Sequence, residues 1–122
     1  RGVIDQTSEQ NPFFTKTNVK GNDIGSLYDL VEKNSYIKIG SKGIIVKILQ
    51  NSLLRLGYDK FNITNNKEAC KTNFEMCDGV FGEGTKKAVI NYQNQKTNNL
   101  KPDGIVGPST AQSIINNIES IE

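Results

Sequence analysis

Apolar residues recur at helical spacing in four stretches of this chain, with polar connectors between them. In the first, from Asp23 to Lys33, Ile24, Leu27, Leu30 and Val31 line one face, and Ser26 with Asp29 resembles a capping box, so a short amphipathic helix is predicted. The second and longest runs from about Gly43 to Leu56. Val46, Leu49, Leu53 and Leu56 form its stripe, widened by Ile45 and Ile48, and Gly57 stands where a helix C-terminus favours glycine. The third runs from Thr85 to about Lys96 with Ala88, Val89 and Tyr92 inward. The fourth runs from Ser109 to Ile118 with Ala111, Ile114, Ile115 and Ile118 inward. Only Tyr36-Ile37-Lys38-Ile39 alternates as an extended segment does. The pattern predicts a mainly α protein: a compact three-helix domain, preceded by a short accessory helix.

The polar residues between these helices repeat. Asp78-Gly79-Val80-Phe81-Gly82-Glu83-Gly84-Thr85 returns as Asp103-Gly104-Ile105-Val106-Gly107-Pro108-Ser109-Thr110. In each copy Asp-Gly marks a tight turn, because glycine accepts positive φ and the Asp carboxylate bonds to backbone N–H groups just ahead. Two apolar residues then point inward, Val80 and Phe81 or Ile105 and Val106, and Gly82 or Gly107 precedes a helix start. Pro108 suits the first helical position, and Glu83, at the equivalent place, favours the positive helix end. Upstream, Val46-x-x-Leu49-Gln50 matches Val89-x-x-Tyr92-Gln93. Gln50 precedes Asp78 by 28 positions and Gln93 precedes Asp103 by 10, so the first unit holds 18 additional residues. They fall at about 59–77, a stretch rich in Asn, Lys and Thr that reads as an inserted loop.

Composition narrows the chemistry. Fifteen basic and 13 acidic residues leave a net charge of +2, which gives no nucleic-acid footprint. There is no His, which excludes His-dependent triads and His metal sites within the chain. No spacing of Asp and Glu singles out an acid/base pair, so no catalytic residue, metal or cofactor is expected. No apolar run approaches the roughly 20 residues that span a bilayer. Residues 1–22 read as an extended, largely polar arm whose Phe13 and Phe14 either stay free or dock on the domain or a partner, and residues 23–36 as the accessory helix and its connector. Cys70 and Cys77, with six residues between them, suit either a small disulfide loop or two free thiols.

Three ordered motifs resemble a known family, the peptidoglycan-binding domain appended to many bacterial cell-wall hydrolases. Ile39-Gly40-Ser41-Lys42-Gly43-x-x-Val46-x-x-Leu49-Gln50-x-x-Leu53-x-x-x-Gly57-Tyr58 is similar to its opening helix. Asp78-Gly79-x-Phe81-Gly82-x-x-Thr85-x-x-Ala88-Val89 is similar to its central motif, and Asp103-Gly104-Ile105-Val106-Gly107-Pro108-x-Thr110 completes it. The resemblance covers about residues 37–118 and implies a three-helix domain at about 37–119 that attaches its owner to peptidoglycan without catalysis of its own. It also implies a place in the bacterial envelope or outside the cell, and in that oxidising compartment Cys70 and Cys77 are expected to be joined. The arm and the insertion are not part of the usual minimal module. They point to a second possibility, an interaction subunit of an envelope-associated assembly, with a protein partner held through the arm or the insertion.

A wall fragment offers amides, carboxylates and sugar hydroxyls, which Gln, Asn, Lys and aromatic faces around a shallow cleft can meet. Tyr58, Phe81, Tyr92, Gln50 and Gln93 are the candidate ligand contacts. Each also has a structural reading, Phe81 and Tyr92 as core and the two glutamines as partners of turn backbone. Asp78, Gly79, Gly82, Asp103, Gly104 and Gly107 are expected to shape the turns.

Overall fold

The computed structural model describes residues 27–121. The arm at 1–22, with Phe13 and Phe14, and the start of the accessory helix from Asp23, with Ile24, lie outside the described residues. Five α-helices follow in order: α1 Leu27–Glu32, α2 Ile44–Arg55, α3 Lys67–Thr72, α4 Glu83–Gln93 and α5 Pro108–Ile121. Two short 3-10 turns, Phe74–Met76 and Lys96–Asn98, lie in the connections.

The centre is α2. Its apolar side chains Ile45, Val46, Ile48, Leu49, Leu53 and Leu54 are all buried, and Phe81, Ala88, Val89, Tyr92, Val106, Ala111, Ile114, Ile115 and Ile118 close the same core. Leu54 is more deeply buried than Leu56, which lies at the C-cap and only packs against the core's edge. The helix ends as expected. Gly57 adopts φ +96°, its N–H bonds to Leu54 O at 3.0 Å and Tyr58 N–H bonds to Leu53 O at 2.9 Å, a Schellman closure. This closure brings the Tyr58 ring edge-on to Tyr92, with centroids 5.3 Å apart. Against α5 packs α1, burying Leu27 and Leu30.

No strand forms among the described residues, but the extended segment joins both turns. Ile37 pairs antiparallel with Val106, exchanging backbone hydrogen bonds of 2.9 and 2.8 Å, and Lys42 pairs with Val80. Gly40 N–H reaches Phe81 O and Phe81 N–H reaches Ser41 O, each at 2.9 Å. Of the two apolar residues expected inward in each turn, Phe81 and Val106 are buried, whereas Val80 is 42% exposed and Ile105 half-buried, because neighbouring side chains on extended backbone face opposite ways. One piece of chain therefore holds both repeats in register.

The insertion differs from the loop its composition predicts. It contains α3, whose Asn66 side chain caps Ala69 N–H, then the Phe74–Met76 turn capped by Asn73. The Cys70–Cys77 disulfide joins α3 to the residue before the first repeated turn. Ile63, Cys70 and Cys77 are buried, and Asn51 on α2 donates to Cys70 O and Lys71 O at 2.6 and 3.0 Å. The six residues of α3 show no readable hydrophobic period, so its order comes from its cap, the crosslink and packing against α2.

Candidate functional site

The repeated turns form two matching hydrogen-bond clusters. At the first, Gln50 Oε1 accepts Gly79 N–H at 3.0 Å, and Gln50 Nε2 faces Asp78 Oδ1 at 2.9 Å, Val80 O at 3.0 Å and Thr85 Oγ1 at 3.2 Å. At the second, Gln93 Oε1 accepts Gly104 N–H at 2.9 Å, and Gln93 Nε2 faces Asp103 Oδ1 at 3.2 Å, Ile105 O at 2.9 Å and Thr110 Oγ1 at 3.1 Å. Asp78 and Asp103 also accept the N–H two residues on, from Val80 and Ile105, at 3.0 and 2.9 Å. Gly79 and Gly104 have φ of +69° and +76°. Gly82 and Gly107 directly precede α4 and α5. Gln50 and Gln93 are at most 1% exposed, with every polar atom committed to a turn.

One asymmetry separates the clusters. Ile63 O, from the insertion, accepts from both Gln50 Nε2 at 3.0 Å and Thr85 Oγ1 at 2.9 Å. The chain reaches that spot because position 84 is glycine: a Cβ there would overlap the Asn62 carbonyl. In the second copy the equivalent residue is Ser109, and among the described residues Thr110 Oγ1 has no acceptor for its proton.

The space left there is open. A groove of about 590 Å³ is lined by Val31, Thr97, Asn98, Leu100, Pro108, Ser109, Gln112, Ser113, Asn116 and Asn117. It shares Leu100, Pro108 and Ser109 with a hollow of about 280 Å³ whose walls include Tyr36, Gly107 and Thr110, with Lys101 and Asp103 also on its lining. Beneath the groove lies a polar chain: Tyr92 Oη is 2.6 Å from Ser113 Oγ and accepts from Asn117 Nδ2 at 2.7 Å, while Asn117 also donates to Asn98 Oδ1 at 3.1 Å. Asn98 in turn bonds to Tyr92 O at 2.7 Å, and its side chain hydrogen-bonds Tyr58. Burial raises the pKa of both phenols above the ordinary tyrosine value, hydrogen bonding from Asn98 (for Tyr58) and from Ser113 and Asn117 (for Tyr92) opposing it.

Of the five sequence-predicted contacts, the fold gathers two, Tyr58 and Tyr92, under this groove. Gln50 and Gln93 sit in separate turns, and Phe81 is 1% exposed in the core. The groove's own residues were missed. Their signal was present in α5, where Ser109, Gln112, Ser113, Asn116 and Asn117 form an uncharged polar face at helical spacing, opposite the Ala111, Ile114, Ile115 and Ile118 stripe. Among the described residues no group of His, Cys, Asp or Glu is arranged to hold a metal ion.

A family model described as a peptidoglycan binding domain matches residues 42–114. The chain belongs to the peptidoglycan binding domain family. No curated protein and no solved structure matches it. The matched residues begin just before α2 and end within α5, so they contain α2, the insertion, α4, both repeated turns and the N-terminal half of α5. The matched span thus carries Pro108, Ser109, Gln112 and Ser113 of the groove's α5 wall, while Val31 and Tyr36 precede it and Asn116 and Asn117 follow it.

Proposed function

We propose that this chain binds bacterial peptidoglycan without cleaving it, attaching whatever it is joined to onto the wall, and that the groove between the Lys96–Asn98 turn and α5 is the binding surface. The observation that carries the reading is the groove's lining. Its polar groups are hydroxyls and amides, which both donate and accept, and none of the ten lining side chains is ionisable. Val31, Leu100 and Pro108 add apolar patches on which a sugar ring can rest. Such a surface suits a neutral polymer of sugars and amides, and its openness to solvent suits weak contact repeated along an insoluble lattice rather than tight capture of a small molecule. No described helix is long and apolar enough to cross a membrane. The protein would therefore work against the wall, in the envelope or outside the cell.

Co-sedimentation with purified insoluble wall tests this. The protein should pellet at low salt and release no soluble muropeptides, and Gln112→Ala with Asn116→Ala, two exposed groove positions, should reduce the pelleted fraction. A protein that stays in the supernatant would instead favour an interaction subunit, with the insertion as its contact. Soluble muropeptides would make it an enzyme.

A further inference from the structure

The two repeated turns present the same donors, but only the first holds a carbonyl from its own connector against them. In the first, a backbone carbonyl, Ile63 O, accepts from the Thr85 hydroxyl and the Gln50 amide. The second repeats every donor: Thr110 stands for Thr85 and Gln93 for Gln50. Its connector supplies no carbonyl to either of them. Thr110 is 5% exposed and lines the hollow beside Tyr36, so its hydroxyl proton is a buried donor without a partner among the described residues.

The two copies differ in what may approach. Gly84 lets the Asn62 carbonyl lie against its Cα, and the chain passes on to Ile63. Ser109 carries a Cβ at that position, so a peptide following the path of Asn62 and Ile63 would collide with it. On that path a carbonyl reaches Thr110 only if little more than a methyl group lies on its acyl side. An acetamido group meets this condition, its methyl taking the place of Ile63 Cα. Next to it stands Tyr36, 62% exposed, with its ring lying so close over Gly107 that a side chain on that glycine would overlap it. An aromatic face beside an amide-binding hollow is the arrangement that an amino sugar's apolar C–H face and its acetyl group require together.

We infer that the hollow formed by Tyr36, Gly107, Ser109 and Thr110 is a subsite for the acetamido group of an N-acetylated amino sugar, with the sugar ring against Tyr36. This rests on the wall-binding reading and narrows it to the glycan strand rather than the stem peptide.

Amide-resolved NMR titration of the full chain with N,N′-diacetylchitobiose, and with chitobiose that carries free amines, tests the assignment alongside wall co-sedimentation. The acetylated disaccharide should shift the Tyr36, Ser109 and Thr110 amides saturably, and the free amine should not. Thr110→Val should weaken binding roughly fivefold or more, Thr110→Ser should keep it within about twofold, and Tyr36→Ala, at an exposed position, should weaken it without unfolding the protein. Equal shifts with chitobiose overturn the acetamido assignment. So does a protein that pellets with wall while diacetylchitobiose leaves those amides unmoved, a result that leaves wall binding standing. Shifts without pelleting support the subsite and remove the wall as ligand, and neither shifts nor pelleting removes both.

Discussion

Gln50 meets Gly79 across 29 positions of chain, its Oε1 accepting the glycine N–H at 3.0 Å in a buried contact. A side chain from the central helix thereby completes a turn that the turn's own residues leave open. Gln93 does the same for Gly104 at 2.9 Å. The shared Gln and Asp-Gly are thus one device, a helix residue clamping the turn that starts the next helix.

Gln50→Ala and Gln93→Ala should both destabilise the protein, since each leaves a buried glycine N–H without its acceptor. The loss should be about 3 kcal/mol for Gln50 and about 2 kcal/mol for Gln93, because Gln50 also carries the Ile63 carbonyl. Urea unfolding of the two variants gives the order. A smaller loss for Gln50 would mean the insertion is not anchored through it.

Gly79→Val and Gly104→Val should each cost roughly 1–3 kcal/mol, because both positions have positive φ. The added Cβ also comes within 3.2 Å of Gly43 O in the first case and 3.0 Å of Lys86 Cγ in the second. Thermal melts within about a degree of the parent would contradict this.

Exchanging the residues that distinguish the repeats should act in one direction only. Gly84→Ser places a Cβ into the Asn62 carbonyl and should cost on the order of 1–3 kcal/mol while unseating the insertion. Ser109→Gly meets no such contact, and should lose only the modest helix preference of serine over glycine, under about 1 kcal/mol. Hydrogen exchange at residues 60–66 reports the unseating directly.

The unreduced protein should show no alkylatable thiol, as both cysteines are paired. Reduction should remove at most about 2–3 kcal/mol and raise hydrogen exchange in residues 66–77, leaving the circular dichroism of α2, α4 and α5 nearly unchanged. The bonds from Asn51 to Cys70 O and Lys71 O should keep α3 near α2 even then. A collapse of the whole helical signal on reduction would show that the core depends on the crosslink.

Stability should fall at alkaline pH. Burial raises the pKa of Tyr92 and Tyr58, so above the ordinary tyrosine pKa of about 10 the unfolded chain loses protons that the folded chain keeps. The unfolded state binds fewer protons, so the stability is fully present below about pH 10 and is lost as pH rises beyond it. Tyr92→Phe should flatten this decline in melts taken from pH 9 to 11.5, at the cost of the bonds to Ser113 and Asn117.

Much of the fold is legible in the residues because it rests on local rules. Helical spacing located α2, α4 and α5, Gly57 marked the end of α2, and the returning Asp-Gly motif predicted two equivalent turns, since each signal lies within a few residues of the structure it specifies. The matching glutamines showed that helix and turn form a unit and offered turn backbone as one of their two readings, although which atoms meet could not be read from the chain. Tertiary structure alone decided the rest, because it turns on which distant groups meet. Insertion and crosslink bury the face of α2 that carries Asn51, which no apolar period marks. Packing turned Gln50, Gln93 and Phe81 inward, where composition offers them as ligand contacts. The difference between Gly84 and Ser109 acquires meaning only when Asn62 is seen lying on one and open space beside the other. The polar face of α5 was written in the chain, but a polar face is usually just solvated. Only the Lys96–Asn98 turn and Leu100, brought alongside it by the second turn, make it one wall of a groove.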